Sequence, residues 1–158
     1  GVTFGAGSIW VANSQNDYVS RIAPATNQVT ATISVGDSPQ GVSFDGTSVW
    51  VANFGSDNLS KITPASNSVT ATVPVGIDPI SITSGTGTIG TWVPSSVGGK
   101  VTKLKSDGAI DSSESFANID LSLGSCLTAT DDTGLQLWTV KVNAPGSSKV
   151  IQILKAAR

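Results

Sequence analysis

The sequence predicts an all-β protein, a β-propeller built of four-stranded antiparallel blades of about forty residues each. Two observations predict it. Residues 1–40 align with residues 41–80 without a gap, and about half of the aligned positions are identical. Each unit contains four short strand-like segments separated by turn residues, and no segment has a helical period. Four strands in each repeat favour a propeller over other repeat architectures.

The strands of the first unit follow from its hydrophobic pattern. Gly1–Phe4 is the first predicted strand. Ile9–Ala12 is the second, and its continuous apolar character indicates burial on both faces. Val19–Ile22 is the third. In the fourth, apolar residues alternate with Thr and Ser, which predicts one apolar face made of Val29, Ala31, Ile33 and Val35.

The turn between the third and fourth strands has the same signature in both units. Pro24 fixes φ at its first corner, and Asn27 can adopt the left-handed conformation at its end. Pro64 and Asn67 repeat this pair forty residues later. The first two blades are therefore predicted to be nearly equivalent.

The second half of the chain repeats the unit with less fidelity. Trp92 and Trp138 take the second-strand position that Trp10 and Trp50 hold in the first two units. A periodic tryptophan there predicts packing between neighbouring sheets rather than a ligand-stacking platform, because Trp fills the wedge between blades. Residues 1–158 thus form one propeller domain or fragment, with about four blades at approximately residues 1–40, 41–80, 81–125 and 126–158, the last without its outermost strand.

The composition argues against two classes of function. Charged residues make up 13 % of the chain and the net charge is −2, so the basic surface that nucleic acids require is missing. Lys100, Lys103 and Lys105 form one basic cluster, and their alternation is typical of a solvated strand face. No apolar stretch approaches the roughly 20 residues that a membrane helix needs. We expect neither nucleic-acid binding nor a membrane span.

The sequence contains one cysteine and no histidine. With no second cysteine, Cys126 cannot form an internal disulfide, and its apolar neighbours predict a buried structural thiol. Without histidine there is no Cys/His metal spacing and no histidine general base. The adjacent Asp131 and Asp132 lack further spaced ligands, so they make a weak case for calcium. We therefore predict no catalytic residue, no metal site and no cofactor.

A propeller offers ligands one face, formed by the loops between second and third strands and by the segments that link blades. In this chain those segments are residues 13–18, 53–58, 95–100, 143–148, 37–40 and 77–80. They hold most of the amides and two aromatic side chains, a combination that suits sugars or peptides. The predicted ligand-binding residues are Asn13, Gln15, Asn16, Tyr18, Gln40, Asn53, Phe54, Asn58 and Asn143. The alternative interpretation is that the asparagines only cap the loops.

The sequence Trp-Val-Ala-Asn occurs at Trp10–Asn13 and again at Trp50–Asn53, each time between a Gly-Val-x-Phe strand and a Pro-Ala-x-Asn turn. These residues resemble the repeats of the YVTN family, the propeller blades of archaeal surface-layer proteins and of bacterial periplasmic or secreted proteins. Streptogramin-lyase-like and NHL-like propellers are related to it. Trp replaces the family's Tyr and Ala its Thr, while Asn is kept. The resemblance is close in two units and implies an extracellular, cell-surface or periplasmic location.

The same resemblance implies a ring of about seven blades. Four blades therefore predict a partner, either additional blades of the same chain or a second copy that completes the ring. The sequence contains no methionine, which leads us to expect a processed or trimmed piece of a longer product.

The leading interpretation is a non-catalytic secreted or cell-surface propeller that acts as a structural or recognition module, with a glycan or a peptide as its ligand. Streptogramin-lyase-like propellers use a catalytic histidine, so the first alternative is a fragment of such an enzyme whose catalytic blades are absent. The second alternative is a periplasmic propeller that binds peptide, glycan or nucleic acid.

Overall fold

In the computed structural model, the described part of the chain forms four antiparallel β-sheets. The structure describes residues 1–85, 90–97, 100–105 and 107–111 with their side chains, and the backbone of strands at 126–130, 136–142 and 148–154. Within these residues the one helical element is a short 3-10 turn, Phe54–Ser56, and no helix has the length and hydrophobicity needed to cross a membrane. The predicted all-β architecture of propeller blades is confirmed.

Strands within each sheet pair in the order in which they occur in the sequence, so each blade is a meander. Blade 1 contains β1 (Val2–Gly5), β2 (Ser8–Asn13), β3 (Tyr18–Ala23) and β4 (Gln28–Ser34). Blade 2 contains β5 (Pro39–Phe44), β6 (Val49–Asn53), β7 (Asn58–Thr63) and β8 (Ser68–Pro74). Blade 3 contains β9 (Thr83–Gly85), β10 (Gly90–Ser95) and β11 (Lys100–Leu104). Blade 4 contains β12 (Cys126–Thr130), β13 (Gln136–Val142) and β14 (Ser148–Leu154).

The first strands of the blades lie side by side, with β5 in contact with β1 on one side and with β9 on the other. Glycine at the start of each of the first two units permits this approach. A Cβ added to Gly41 would lie 2.8 Å from the backbone nitrogen of Ile82, too close for any side chain. The glycine of the Gly-Val-x-Phe motif therefore allows the first strands of neighbouring blades to lie this close together.

The turn prediction is confirmed at both asparagines, since φ is +58° at Asn27 and +50° at Asn67. The predicted apolar face of the fourth strand is wrong at one position. A register shift between Arg21 and Ile22 pairs Ala31 with Arg21 but Val29 with Ile22. Because residues directly opposite each other point to the same side of a sheet, this bulge turns Val29 away from the side that Ala31 shares with Ile33.

The core lies between the blades. Trp10, Val19 and Ile33 of blade 1 pack against Val49 and Ile62 of blade 2. Trp50 takes the corresponding place between blades 2 and 3, where it packs with Leu59, Ile82, Val93 and Leu104. Trp92 is 8 % exposed. Inter-blade packing is therefore confirmed for Trp10 and Trp50, while the side chain of Trp138 lies outside the described residues, as does that of Cys126.

A cation covers each of these three rings. Arg21 lies over Trp10 with 5.1 Å between guanidinium carbon and ring centroid, Lys61 over Trp50 at 5.1 Å and Lys103 over Trp92 at 5.3 Å. The prediction that Lys100, Lys103 and Lys105 lie on a solvated strand face is wrong for Lys103, which is 6 % exposed. Its ammonium group is stabilised by the ring beneath it, which the alternation of lysines in the sequence does not reveal.

Candidate functional site

The loops between second and third strands and the segments between blades meet at one end of the blades, which we call the loop face. Gly55 N donates to Asp37 O at 3.0 Å, and Phe54 N donates to Ser38 O at 3.1 Å. These bonds join the segment that leaves blade 1 to the loop of blade 2. The prediction that these two kinds of segment share one face is therefore correct in the part of the chain that the structure describes.

Two aspartates at equivalent positions hold the loop face together. Asp17 Oδ1 accepts a hydrogen bond of 2.8 Å from Ser38 N, and Asp57 Oδ1 accepts one of 2.9 Å from Asp78 N. All four residues have positive φ, between +49° and +56°. Asp tolerates the left-handed region because its short carboxylate bonds nearby backbone groups. Each loop is thus tied to the segment that follows its own blade.

Asn53 is the most enclosed of the predicted ligand-binding residues, with no exposed surface. Its Nδ2 donates to Asn58 Oδ1 at 2.8 Å and to Ser60 Oγ at 2.9 Å. A Cβ added to Gly36 of the preceding blade would lie 2.8 Å from both Cγ and Nδ2 of Asn53. The Oδ1 atom of Asn53 is buried without a hydrogen-bond partner. This amide lies inside the wedge between blades 1 and 2.

Asn13 and Asn58 also turn toward their own loops. Asn13 Nδ2 donates to the carbonyl of Val11 at 3.1 Å and to Ser20 Oγ at 3.0 Å. Asn58 Nδ2 donates to Ser56 O at 2.9 Å. Both side chains are half-buried. These are the contacts that loop capping requires, so three of the predicted amides already have structural bonds.

The remaining predicted residues differ in their access to solvent. Gln15, Asn16 and Gln40 are exposed, whereas Tyr18 and Phe54 are half-buried. Asn143 lies outside the described residues. Binding of a ligand by these residues stays a prediction.

Two buried hydroxyls of blade 3 were not predicted from the sequence. Ser95 and Thr102 occupy the positions of Asn53 and Ser60, counted from the tryptophan of each blade. Both are fully buried, and neither hydroxyl oxygen has a hydrogen-bond partner. Counting residues from Trp92, in the way that Asn53 and Ser60 are counted from Trp50, would have identified both positions from the sequence.

A shallow groove of about 220 Å³ opens between the outer strands of blades 1 and 2. Its polar lining comes from hydroxyls and one amide rather than from charged groups, and it consists of Ser34, Val35, Gly36, Asn58, Ser60, Val69 and Thr72. Asn53, which does not line the groove, donates hydrogen bonds to two of these residues, Asn58 and Ser60. In the described part of the chain, no group of three or more His, Cys, Asp or Glu side chains is placed to hold a metal ion.

The comparison with family models gives one match, a YNCE-like β-propeller model that covers residues 2–91. The chain belongs to the YNCE-like β-propeller family. This result confirms the predicted propeller family in its broader sense, while the narrower YVTN resemblance is not part of the match. No curated protein sequence matched the chain significantly.

Solved structures that resemble this YNCE-like chain share its fold at low identity. Hydrazine synthase of Kuenenia stuttgartiensis superposes with a TM-score of 0.77 at 17 % identity, over 97 % of this chain and 45 % of that one. A streptogramin B lyase gives 0.70 at 17 %, over 87 % of this chain and 46 % of that one. Virginiamycin B lyase of Staphylococcus aureus gives 0.70 at 16 %, over 100 % of this chain and 56 % of that one. The chain spans about half the length of these structures.

Proposed function

We propose that this chain is a non-catalytic section of a propeller, in which bonded blades hold the loop face as a recognition surface. The orientation of the asparagine and glutamine amides at the loop face supports this proposal. Asn53 is fully buried and bonded to Asn58 and Ser60, so its amide serves the scaffold. Asn13 likewise bonds within its own loop. Among the predicted residues that the structure describes, the amides exposed to a ligand belong to Gln15, Asn16 and Gln40.

The chemistry of this surface suits a neutral or cationic ligand rich in hydrogen-bonding groups. Exposed amides both donate and accept, and the exposed carboxylates of Asp17, Asp37 and Asp57 add acceptors and negative charge. A glycan or a peptide supplies the complementary hydroxyls and amides, whereas a nucleic acid is repelled. The absence of histidine from the sequence agrees with a binding role.

The resemblance of Trp10–Asn13 and Trp50–Asn53 to YVTN repeats supports an extracellular, cell-surface or periplasmic location. The low content of charged residues and the many Ser and Thr residues are consistent with such a surface. Fractionation of cells that express the gene from its own promoter tests this part, and recovery in the cytoplasm alone would contradict it.

The binding role is tested with a glycan array and a random peptide library, using the purified chain and a Gln15→Ala, Asn16→Ala double variant. We expect a glycan or peptide hit that weakens at least about tenfold in the double variant, because two hydrogen-bonding side chains are removed. Gln28→Ala is the matched control, since Gln28 is an exposed amide on the outer strand β4. A hit unaffected by the double variant, or no hit in either screen, would refute the recognition role.

Turnover of a glycan, a peptide or a streptogramin B by the purified chain would instead refute the non-catalytic role. The two lyase structures favour the streptogramin as one substrate to include, because they share the fold. Binding and turnover are measured separately, so the recognition and non-catalytic parts of the proposal can fail independently.

A further inference from the structure

Blade 1 has a side that blade 2 does not cover, and it carries a large apolar surface. Val2 and Phe4 of β1 are each 67 % exposed, and Val29 of β4 is 58 % exposed. The register shift that turns Val29 away from Ala31 puts it on the same side as Ile22. Exposed apolar side chains that cluster on one sheet side indicate an interaction surface.

The internal repeat shows what kind of structure fits such a surface. Blade 2 carries Val42, Phe44 and Val69 at the positions of Val2, Phe4 and Val29. There the same three residue types pack into the inter-blade core, with Trp10 of blade 1 among their partners. The corresponding side of blade 1 is therefore shaped for the tryptophan side of another blade.

A polar contact adds specificity to the apolar one. Arg21 of blade 1 reaches across to the turn of blade 2, where its Nη1 donates to Pro64 O and to Asn67 Oδ1, each at 2.8 Å. Blade 1 has the same turn, with Pro24 and Asn27 exposed. Asn27 and Asn67 both have positive φ, at +58° and +50°. The carbonyl of Pro24 and the amide oxygen of Asn27 are thus arranged to accept a guanidinium.

We propose that the exposed side of blade 1 is a docking surface for a propeller blade that presents an arginine on its third strand, opposite a second-strand tryptophan. The Pro24–Asn27 turn accepts the arginine, and Val2, Phe4 and Val29 receive the tryptophan side. The docking surface lies on the side of blade 1, so docking there does not depend on what the loop face binds.

The register of the other blades favours a blade of the blade 1 type over a second copy of this chain. Trp10 pairs with Arg21, but Trp92 pairs with Lys103 and Trp138 with Gln152. In a second copy, blade 2 already covers the tryptophan side of blade 1. Gln152, the residue paired with Trp138, lacks the charge and the forked donors that the Pro24–Asn27 turn accepts.

The test extends the full chain by one blade of the required type. A second copy of residues 1–40 is placed directly before Gly1, so that the new Gln40–Gly1 junction reproduces the natural Gln40–Gly41 junction. Arg21→Gln in the added copy and Asn27→Ala in the original blade 1 are combined in a double-mutant cycle, measured by denaturant unfolding. Any strain of alanine at Asn27 cancels within the cycle.

We expect the two changes to couple by about tenfold in the unfolding equilibrium constant, as for a charge-assisted hydrogen bond. The reference is the cycle of Arg21→Gln with Asn67→Ala in the unextended chain, where the contact is 2.8 Å. Coupling below about twofold in the extended chain would overturn the arginine requirement, whatever the reference cycle gives.

Phe4 provides a second readout that does not depend on the polar contact. Phe4→Ala is expected to change the unfolding constant of the unextended chain less than about threefold, because the ring is 67 % exposed. In the extended chain, with the change made only in the original blade 1, we expect a loss of at least tenfold, as for a ring at a packed interface. Equal effects in the two chains would overturn the docking surface itself.

Discussion

Asn53 donates a hydrogen bond of 2.8 Å from Nδ2 to Oδ1 of Asn58, directly across the β6–β7 pair. Both residues were predicted from the sequence as ligand contacts, and the structure joins them to each other. Because Asn53 is also bonded to Ser60 and has no exposed surface, its amide contributes to the packing of blade 2 against blade 1. A buried amide that is satisfied on one side fixes the position of its neighbours.

Replacing Asn53 with Asp is expected to lower the free energy of unfolding by about 3 kcal/mol at pH 7, because it buries a carboxylate and removes the donor that Asn58 accepts from. Burial raises the pKa of the new carboxyl in the folded state above its unfolded value of about 3.9. The folded variant then binds more protons than the unfolded one, so the loss relative to the original chain is smallest below about pH 4 and grows as the pH rises through the raised pKa.

Urea unfolding of Asn53→Asp at a series of pH values, each compared with the original chain, measures this effect. Asn13→Asp is the matched control, because Asn13 holds the same position in blade 1 and is only half-buried. We expect a loss of less than about 1 kcal/mol for it. Equal losses in the two variants, or a loss at Asn53 that does not depend on pH, would contradict the structural role of this amide.

The repeat predicted the strands and the turns well, because both depend on residue patterns that recur within each blade. Asn27 and Asn67 adopt the left-handed conformation that their place after a Pro-Ala turn requires. The orientation of the amides could not be predicted in this way. Asn53 can point into the wedge because Gly36, seventeen residues earlier, has no side chain, and a Cβ there would lie 2.8 Å from the Asn53 amide. Contacts of this kind join different blades, and a pattern within one unit does not contain them.

Lys103 and Val29 show the same limit in two other ways. Alternation predicted a solvated Lys103, but the ring of Trp92 on the paired strand makes its burial favourable. Alternation also predicted that Val29 lies on the side of Ala31, and a single bulge reverses it. A shift of one residue in the strand register decides which side chains of a strand face the neighbouring blade.

Asp17 is expected to control the order of the segment that leaves blade 1, because its Oδ1 accepts the amide of Ser38. Asp17→Ala removes this acceptor and also places alanine at a φ of +56°. We expect the Ser38 amide to exchange with solvent at least about tenfold faster, corresponding to the loss of a hydrogen bond to a charged acceptor. Asp17→Asn keeps an acceptor and tolerates this φ, so it should change the rate much less.

Amide hydrogen exchange followed by NMR measures the Ser38 rate in these variants. Asp57→Ala is the matched control, since it removes the equivalent bond to Asp78 in the next blade. We expect it to accelerate exchange at Asp78 and to leave Ser38 unchanged. Acceleration at both amides in either variant would indicate general unfolding of the loop face rather than loss of one local bond.

Arg21 is expected to contribute more to stability than Lys61, although both lie 5.1 Å from a tryptophan ring centroid. Arg21 also donates to Ser8 in its own blade and to Pro64 and Asn67 in the next. Arg21→Ala should lower the free energy of unfolding by about 2 kcal/mol, whereas Lys61→Ala should cost about 0.5–1 kcal/mol, the value of a cation–ring contact near the surface.

Arg21→Lys separates the charge from the hydrogen-bond geometry. Lysine retains the contact with Trp10 but lacks the forked donors that reach Pro64 and Asn67, so we expect about half of the loss seen with alanine. Guanidinium unfolding would obscure these charges, and urea is the suitable denaturant. If Arg21→Lys were as stable as the original chain, the bonds between blades 1 and 2 would make no contribution.

Gly5 and Asp45 hold the same place in units one and two, and the structure predicts that they are not interchangeable. Asp45 accepts from Thr47 N, Ser48 N and Trp50 Nε1 at 2.7–2.8 Å. In blade 1, Trp10 Nε1 donates instead to Gly5 O at 2.9 Å. A Cβ on Gly5 would lie 2.6 Å from Cβ of Phe44 and also meet its ring, so blade 2 occupies the space that an aspartate needs.

Gly5→Asp is therefore expected to destabilise the chain by at least about 2 kcal/mol through overpacking. Asp45→Gly should cost about 2 kcal/mol for a different reason, since three donors lose their acceptor. Phe44→Ala is combined with Gly5→Asp and, separately, with Asp45→Gly, and urea unfolding of the two double variants distinguishes the two mechanisms. Phe44→Ala should relieve part of the cost of Gly5→Asp and add to the cost of Asp45→Gly. Additive effects in both pairs would show that Phe44 does not exclude aspartate from blade 1.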